Sequence, residues 1–242
     1  MRAAPERRLD VAATWWRREP PGLPGEWNQV DVRDAAGIAA AVRGADAVVH
    51  TAYLQGGEEA WSTNVDGSAA VASAAAGRRL VHLSSDVVFD GRRGRYREED
   101  RPEPVGDYGR SKAEAERRVA ALHPAATVVR TSLLYGGREP GPQERLAREG
   151  TRFFVDEIRC PVRVGELAAA ILELLGLDHS GPLHLGGADA VNRYDFALLL
   201  GADPSRIERA HTSPDRPADV SLDSSRAAAL LRTRLRGVYA PD

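Results

Sequence analysis

Ala45-Asp46-Ala47-Val48-Val49-His50-Thr51-Ala52 and Arg79-Leu80-Val81-His82-Leu83-Ser84 flank a helical pattern over residues 58–76 that stops at Gly77. Runs this short and apolar read as buried strands, and a helix of that length between them makes a crossover joining parallel neighbours. The pattern extends outward in both directions. Downstream, a helix is expected over 108–122 and a strand over 126–135; upstream, strands over 9–14 and 28–32 and a helix over 35–42 ending at Gly44. Strands alternating with helices make an α/β fold, a doubly wound parallel sheet covered on both faces. Such sheets hold their ligands at the carboxyl ends of the strands.

After residue 136 the pattern loosens. Short strands are expected over 153–155 and 182–185, helices over 166–175, 194–200 and 223–231, and extended chain over 160–164 and 207–211. This reads as a smaller lobe on the sheet's edge, with 181–187 returning to the sheet. The charge run over 92–101 reads as a solvated loop.

Composition narrows the class. The chain has 242 residues, 33 basic and 35 acidic side chains, and a net charge of −2. Nothing there favours nucleic acid or an anionic membrane. The first eight residues carry no apolar stretch, so no cleaved signal is expected from them. The most apolar run, residues 167–177, is too short to span a bilayer. A single cysteine, Cys160, excludes an internal disulfide and a thiolate zinc cluster. These features predict a cytoplasmic protein. Lys112 is the one lysine among the 33 basic residues.

That lysine lies four residues after Tyr108, just over one helical turn, so both occupy one helix face. An ammonium near a phenol favours the phenolate and makes the tyrosine a usable acid or base. Upstream, the strand over 79–84 runs into Ser84 and Ser85, hydroxyls placed where a substrate carbonyl could bind beside Tyr108. The six histidines specify no metal site: His50, His82 and His184 fall inside apolar strands, and His123, His179 and His211 near turns.

Leu83-Ser84-Ser85-Asp86-Val87-Val88-Phe89-Asp90-Gly91, together with His50 to Tyr53, Asn64-Val65, Tyr108 to Lys112, Arg130-Thr131-Ser132, Leu183 to Gly187 and Arg216-Pro217, resembles the extended short-chain dehydrogenase/reductase family, in its sugar-nucleotide reductase branch of the dTDP-4-dehydrorhamnose reductase type. The resemblance runs from about residue 9 to the C-terminus. It implies a Rossmann-like cofactor domain over 1–135 and a mostly substrate-binding lobe over 136–242. It implies NADPH (or NADH) as cofactor, a small-molecule nucleotide sugar as substrate, and a monomer or homodimer.

By position, the resemblance makes Ser85, Tyr108 and Lys112 catalytic. Arg17, Arg18, Asp31, Val32, Thr51, Ala52 and Tyr53 would meet the cofactor together with Tyr108 and Lys112. Ser84, Ser85, Tyr108, Leu133 and Arg216 would meet the substrate. Leu133 stands where relatives often carry an aromatic. The glycine-rich strand-to-helix turn of the family is not found here. The resembled strand order puts a further strand between residues 9–14 and 45–52, so an open slot is expected there, with a reading frame starting roughly 20 residues upstream. Other outcomes of the same scaffold are a non-catalytic binding or regulatory subunit, or an epimerase.

Overall fold

The computed structural model describes residues 9–17 and 26–241. The first half runs β1 (Ala12–Trp15), β2 (Glu26–Gln29), α1 (Ala35–Ala41), β3 (Ala47–His50), α2 (Gly67–Ala74), β4 (Arg79–Ser85), α3 (Asp107–Leu122) and β5 (Thr127–Thr131). The second half runs β6 (Leu134–Tyr135), α4 (Pro142–Glu149), β7 (Arg152–Phe154), β8 (Ile158–Arg159), β9 (Val162–Arg163), α5 (Val164–Leu174), β10 (Gly181–Leu185), β11 (Val191–Asn192), α6 (Arg193–Leu199), β12 (Glu208–Ala210) and α7 (Ser225–Leu230).

The central sheet is parallel, in the order β3-β4-β5-β10. Alternation along each strand builds a core on both faces. Leu80 and Val128 join Ile38, Val71, Ala72 and Val119 under α1 to α3. Their chain neighbours Val81 and Val129 point the other way, to Leu167, Ile171, Leu174 and Ala227 under α5 and α7. A separate cluster of Ala147, Phe153, Tyr194, Ala197 and Ile207 holds α4, β7 and α6 together.

β1 pairs in parallel with β2 alone, and no hydrogen-bonded ladder joins β1 to β3 among the described residues. The strand expected over 9–14 is placed at Ala12–Trp15, and that expected over 28–32 at Glu26–Gln29.

Three expectations need larger correction. The helix expected over 58–76 is interrupted: a π-helical turn, Ser62–Asp66, precedes α2. The strand expected over 126–135 is two strands. β5 belongs to the central sheet, whereas β6 turns away to pair with β9, and Ser132 and Leu133 make the break. The charge run over 92–101 is only half solvated. Tyr96 and Glu98 are buried while Arg95, Arg97 and Glu99 are exposed, because Tyr96 bridges to Leu222 and stacks on Phe89. Helix α4 had no clear sequence signal; it begins at Pro142, a favoured first position, but only Ala147 is fully buried.

Candidate active site

The loop that leaves β4 builds the centre of the site. Ser85 is the last residue of β4, and its hydroxyl caps the single 3-10 turn Asp86–Val88 by accepting from the Val87 N–H at 3.4 Å. The same hydroxyl donates to Asp86 Oδ1 at 3.1 Å. Ser132, at the break between β5 and β6, donates to Asp86 Oδ2 at 2.6 Å and accepts from the Cys160 N–H at 3.2 Å. Asp86 is thus a buried carboxyl gripped by two hydroxyls. Burial pushes its pKa up, opposed by Arg159 and the Ser132 and Ser85 hydroxyls.

Helix α3 brings Tyr108 to this loop. Gly109 permits the approach: a Cβ there would sit 2.2 Å from the Val87 carbonyl oxygen. Burial pushes the Tyr108 phenol up, with Tyr53 and Asp86 adding to it and the nearby Ser85 opposing. The net shift is upward, so the phenol is protonated at neutral pH. Tyr53 lies 5.9 Å from Tyr108 between ring centroids.

One turn further along α3, Lys112 is 2% exposed, and its Nζ donates to the Leu83 carbonyl at 2.5 Å. Desolvation lowers it to about 8, with Glu116 opposing. Here the sequence expectation needs correction: the ammonium rests on the β4 backbone and is not among the groups that shift Tyr108. Beneath it, His50 and His82 occupy paired positions of β3 and β4 with ring centroids 5.2 Å apart. Burial and the nearby Lys112 lower both, His50 to about 3, so both rings are neutral.

A residue the sequence reading left without a role ties these parts together. Asn64, fully buried in the π-helical turn, accepts from the Leu54 N–H at 2.8 Å and donates to the Leu54 carbonyl and to Ser111 Oγ, each at 2.8 Å. Ser111 in turn donates to the Tyr108 carbonyl. The loop after β3 is thereby fixed to the first turn of α3. The signal was the Asn64-Val65 pair, but nothing in its spacing announced a partner 47 positions away.

The remaining expected residues divide. Thr51, Ala52 and Tyr53 are exposed at the carboxyl end of β3. Asp31 is held by Arg33 through two guanidinium nitrogens at 2.5 and 3.0 Å, which keeps its carboxyl below the usual range. Val32 is instead a core residue, packed among Ile38 and Val71 and against Gly67, where a Cβ would approach it to 2.7 Å. Ser84 is also corrected. Strand alternation turns it from Ser85 to the opposite face, where its hydroxyl is buried without a hydrogen-bond partner. Arg17 is exposed and paired with Glu59; Arg18 lies outside the described residues. Leu133 is half-buried beside Ser132.

Arg216 lies in a cluster the sequence did not reveal. Its Nε and Nη2 donate to the fully buried Glu157 at 2.5 and 3.0 Å, with Arg159 at 3.6 Å from the same carboxylate. Arg193, at the start of α6, is close enough for its charge to act on Glu157, Arg159, Arg216 and Asp86, and desolvation lowers its pKa. Three arginines thus surround one glutamate. No group of three or more metal-ligating side chains exists among the described residues, and no described helix is long and apolar enough to cross a membrane.

Known proteins share this architecture. The chain is 33% identical over 236 residues to a dTDP-4-dehydrorhamnose reductase of Mycolicibacterium smegmatis, covering 86% of this chain and 72% of that one. It is 32% identical over 197 residues to methionine adenosyltransferase 2 subunit beta of Bos taurus, covering 69% and 57%. Across such relatives the matched region spans from 52% to 74% of their own length. Among solved structures, a hypothetical dTDP-4-dehydrorhamnose reductase from Sulfolobus tokodaii superposes with a TM-score of 0.80 at 27% identity, covering 98% of this chain and 90% of that one. The model of the RmlD substrate binding domain matches residues 2–236, and the chain belongs to that family.

Proposed function

We propose that this chain reduces the 4-keto group of a nucleotide sugar, with NADPH as the hydride source and Tyr108 as the proton donor. The observation that carries the reading is the meeting of Ser85 and Tyr108 at the carboxyl end of β4, with Lys112 one turn along the same helix.

The residues present fit the nicotinamide end of such a cofactor. The Lys112 ammonium has three donors, and its Nζ bond to the Leu83 carbonyl uses one, leaving capacity for ribose hydroxyls. Thr51 to Tyr53 offer an exposed strand end beside it. No Gly-rich strand-to-helix turn lies among the described residues. When bound, the reduced nicotinamide supplies hydride to the carbonyl carbon. Ser85 hydrogen-bonds the carbonyl oxygen. Tyr108 delivers its phenolic proton to that oxygen as the alcohol forms, and its raised pKa keeps that proton in place until then. Lys112 serves the cofactor's ribose rather than the phenol, since it does not shift Tyr108.

On the substrate side, Arg193 and Arg216 are suited to a diphosphate by charge-assisted hydrogen bonds. Arg216 keeps 43% side-chain exposure, so its bond to Glu157 orients it without hiding it. Leu133 would line the sugar beside Ser132. The test is turnover of a 4-keto nucleotide sugar followed by NADPH oxidation. Wild-type activity with a fall of about 100-fold or more in Tyr108→Phe is expected, the usual range for an acid/base group. Near-normal turnover in Tyr108→Phe would end the mechanism.

A second reading, a binding or regulatory subunit without turnover, is favoured by one comparison: the relative named as a methionine adenosyltransferase subunit. NADPH binding with no turnover of any 4-keto nucleotide sugar would select it.

A further inference from the structure

Four charged side chains form an alternating chain near the carboxyl ends of β1 and β2. Arg33 grips Asp31 with Nε and Nη2, and its Nη1 donates to Glu59 Oε1 at 2.6 Å. The other Glu59 oxygen accepts from Arg17. Three separate segments contribute: Arg17 follows β1, Asp31 and Arg33 follow β2, and Glu59 lies between β3 and the π-helical turn. Arg17 and Glu59 are 61% and 40% exposed, so this end of the chain of charges opens to solvent.

In parallel sheets of this kind the adenosine ribose sits over these strand ends. There an acidic side chain takes a free 2′-hydroxyl and an arginine takes a 2′-phosphate. Among the described residues, the end of β1 carries Arg17 and no acid. The carboxylate arrives instead from Glu59, a part of the chain that a strand-end motif would not include. The four groups are neutral together, two cations against two anions. A phosphate monoester carries a charge of about −1.5 to −2, so it leaves the group strongly negative unless Glu59 withdraws.

We infer that Glu59 is a specificity-determining residue: an internal carboxylate that competes with the cofactor's 2′-phosphate for Arg17 and Arg33 and so reduces discrimination between NADPH and NADH. The inference rests on the dinucleotide reading above. Its physical content is a displacement. Glu59 must leave the arginines for a 2′-phosphate to bind, whereas a cofactor with a free 2′-hydroxyl leaves the ion pairs intact. Glu59 makes no contact with Ser85, Tyr108 or Lys112, so the effect is confined to binding.

The test is equilibrium fluorescence titration of the full chain with NADPH and with NADH, in wild type and in Glu59→Gln. Competition by 2′,5′-ADP against ADP is measured in parallel. Glu59→Gln is expected to tighten NADPH and 2′,5′-ADP by about three- to tenfold, the range set by one or two exposed ion pairs. NADH and ADP should stay within about twofold in the same variant. Arg17→Gln should reduce the preference for NADPH, which ties the effect to the anion site. An unchanged NADPH-to-NADH ratio in Glu59→Gln, or weaker NADPH binding, would overturn the role of Glu59 while leaving the dinucleotide reading in place. Wild-type chain that binds neither NADPH nor NADH would end both.

Discussion

Replacing Asn64 by alanine removes three hydrogen bonds at once from a side chain with no solvent exposure. At roughly 1 kcal/mol net for each neutral bond, the direct loss is about 3 kcal/mol. Two of the partners belong to Leu54, which is half-buried and can recover water in part, so those bonds count toward the lower end. The third partner, Ser111 Oγ, is 2% exposed and cannot rehydrate, although it keeps its own bond to the Tyr108 carbonyl. The expected destabilisation is therefore about 2–4 kcal/mol. For a domain of this size that lowers the melting temperature by roughly 5–15 °C. The assay is reversible urea unfolding followed by circular dichroism, compared at constant slope so that only the midpoint carries the change. A loss below about 1 kcal/mol in Asn64→Ala would show that the loop after β3 and the first turn of α3 are held by packing instead.

The other expectations concern single groups. Gly109→Ala would gain about 1 kcal/mol in helix propensity, but its Cβ would lie 2.2 Å from the Val87 carbonyl. The clash should win, with a net loss of about 1–3 kcal/mol in denaturant unfolding. Burial acts to raise Glu173, but the N–H groups of Arg232 and Thr233 and their side chains outweigh it and hold the carboxyl at about 2. Its folded pKa is lowered, so its stabilisation is complete above about 4.5 and is lost as the pH falls towards about 2. Glu173→Gln should accordingly flatten the acid limb of a stability–pH curve and leave its neutral slope alone. Arg216→Ala would leave the buried Glu157 with Arg159 at 3.6 Å and Arg193 as its remaining nearby cations, and should cost about 1–3 kcal/mol. The same variant should weaken nucleotide-sugar binding in calorimetry with NADPH affinity unchanged; the opposite pattern would place Arg216 on the cofactor side.

How much of this was legible differs by scale. The central sheet could be read because β3, β4 and β5 carry short apolar runs separated by crossover helices, with β5 buried along its whole length. Ser85, Tyr108 and Lys112 could be read because two lie one turn apart and the third ends a strand. What escaped depends on contacts between distant residues. The direction of Ser84 followed from strand alternation but was outweighed by its place beside Ser85. The π-helical turn has no periodic signature, so the helix over 58–76 looked continuous. Nothing local pairs Glu157 with Arg216, 59 positions away. After residue 136, β10 apart, the strands are two or three residues long, each defined by a partner elsewhere in the chain and too short to carry a pattern.

The burial of Lys112 has a practical consequence in covalent chemistry. It is the chain's single lysine, so the folded surface offers no ε-amine to an acylating reagent. At about 8 its pKa already leaves part of the amine neutral and nucleophilic under mildly basic conditions. Reactivity is therefore limited by access to a side chain that is 2% exposed. The rate of that modification, read by mass spectrometry on one peptide, measures how often this part of the molecule opens. Any molecule that covers or grips the ammonium should slow it, giving an occupancy readout that needs no substrate and no turnover.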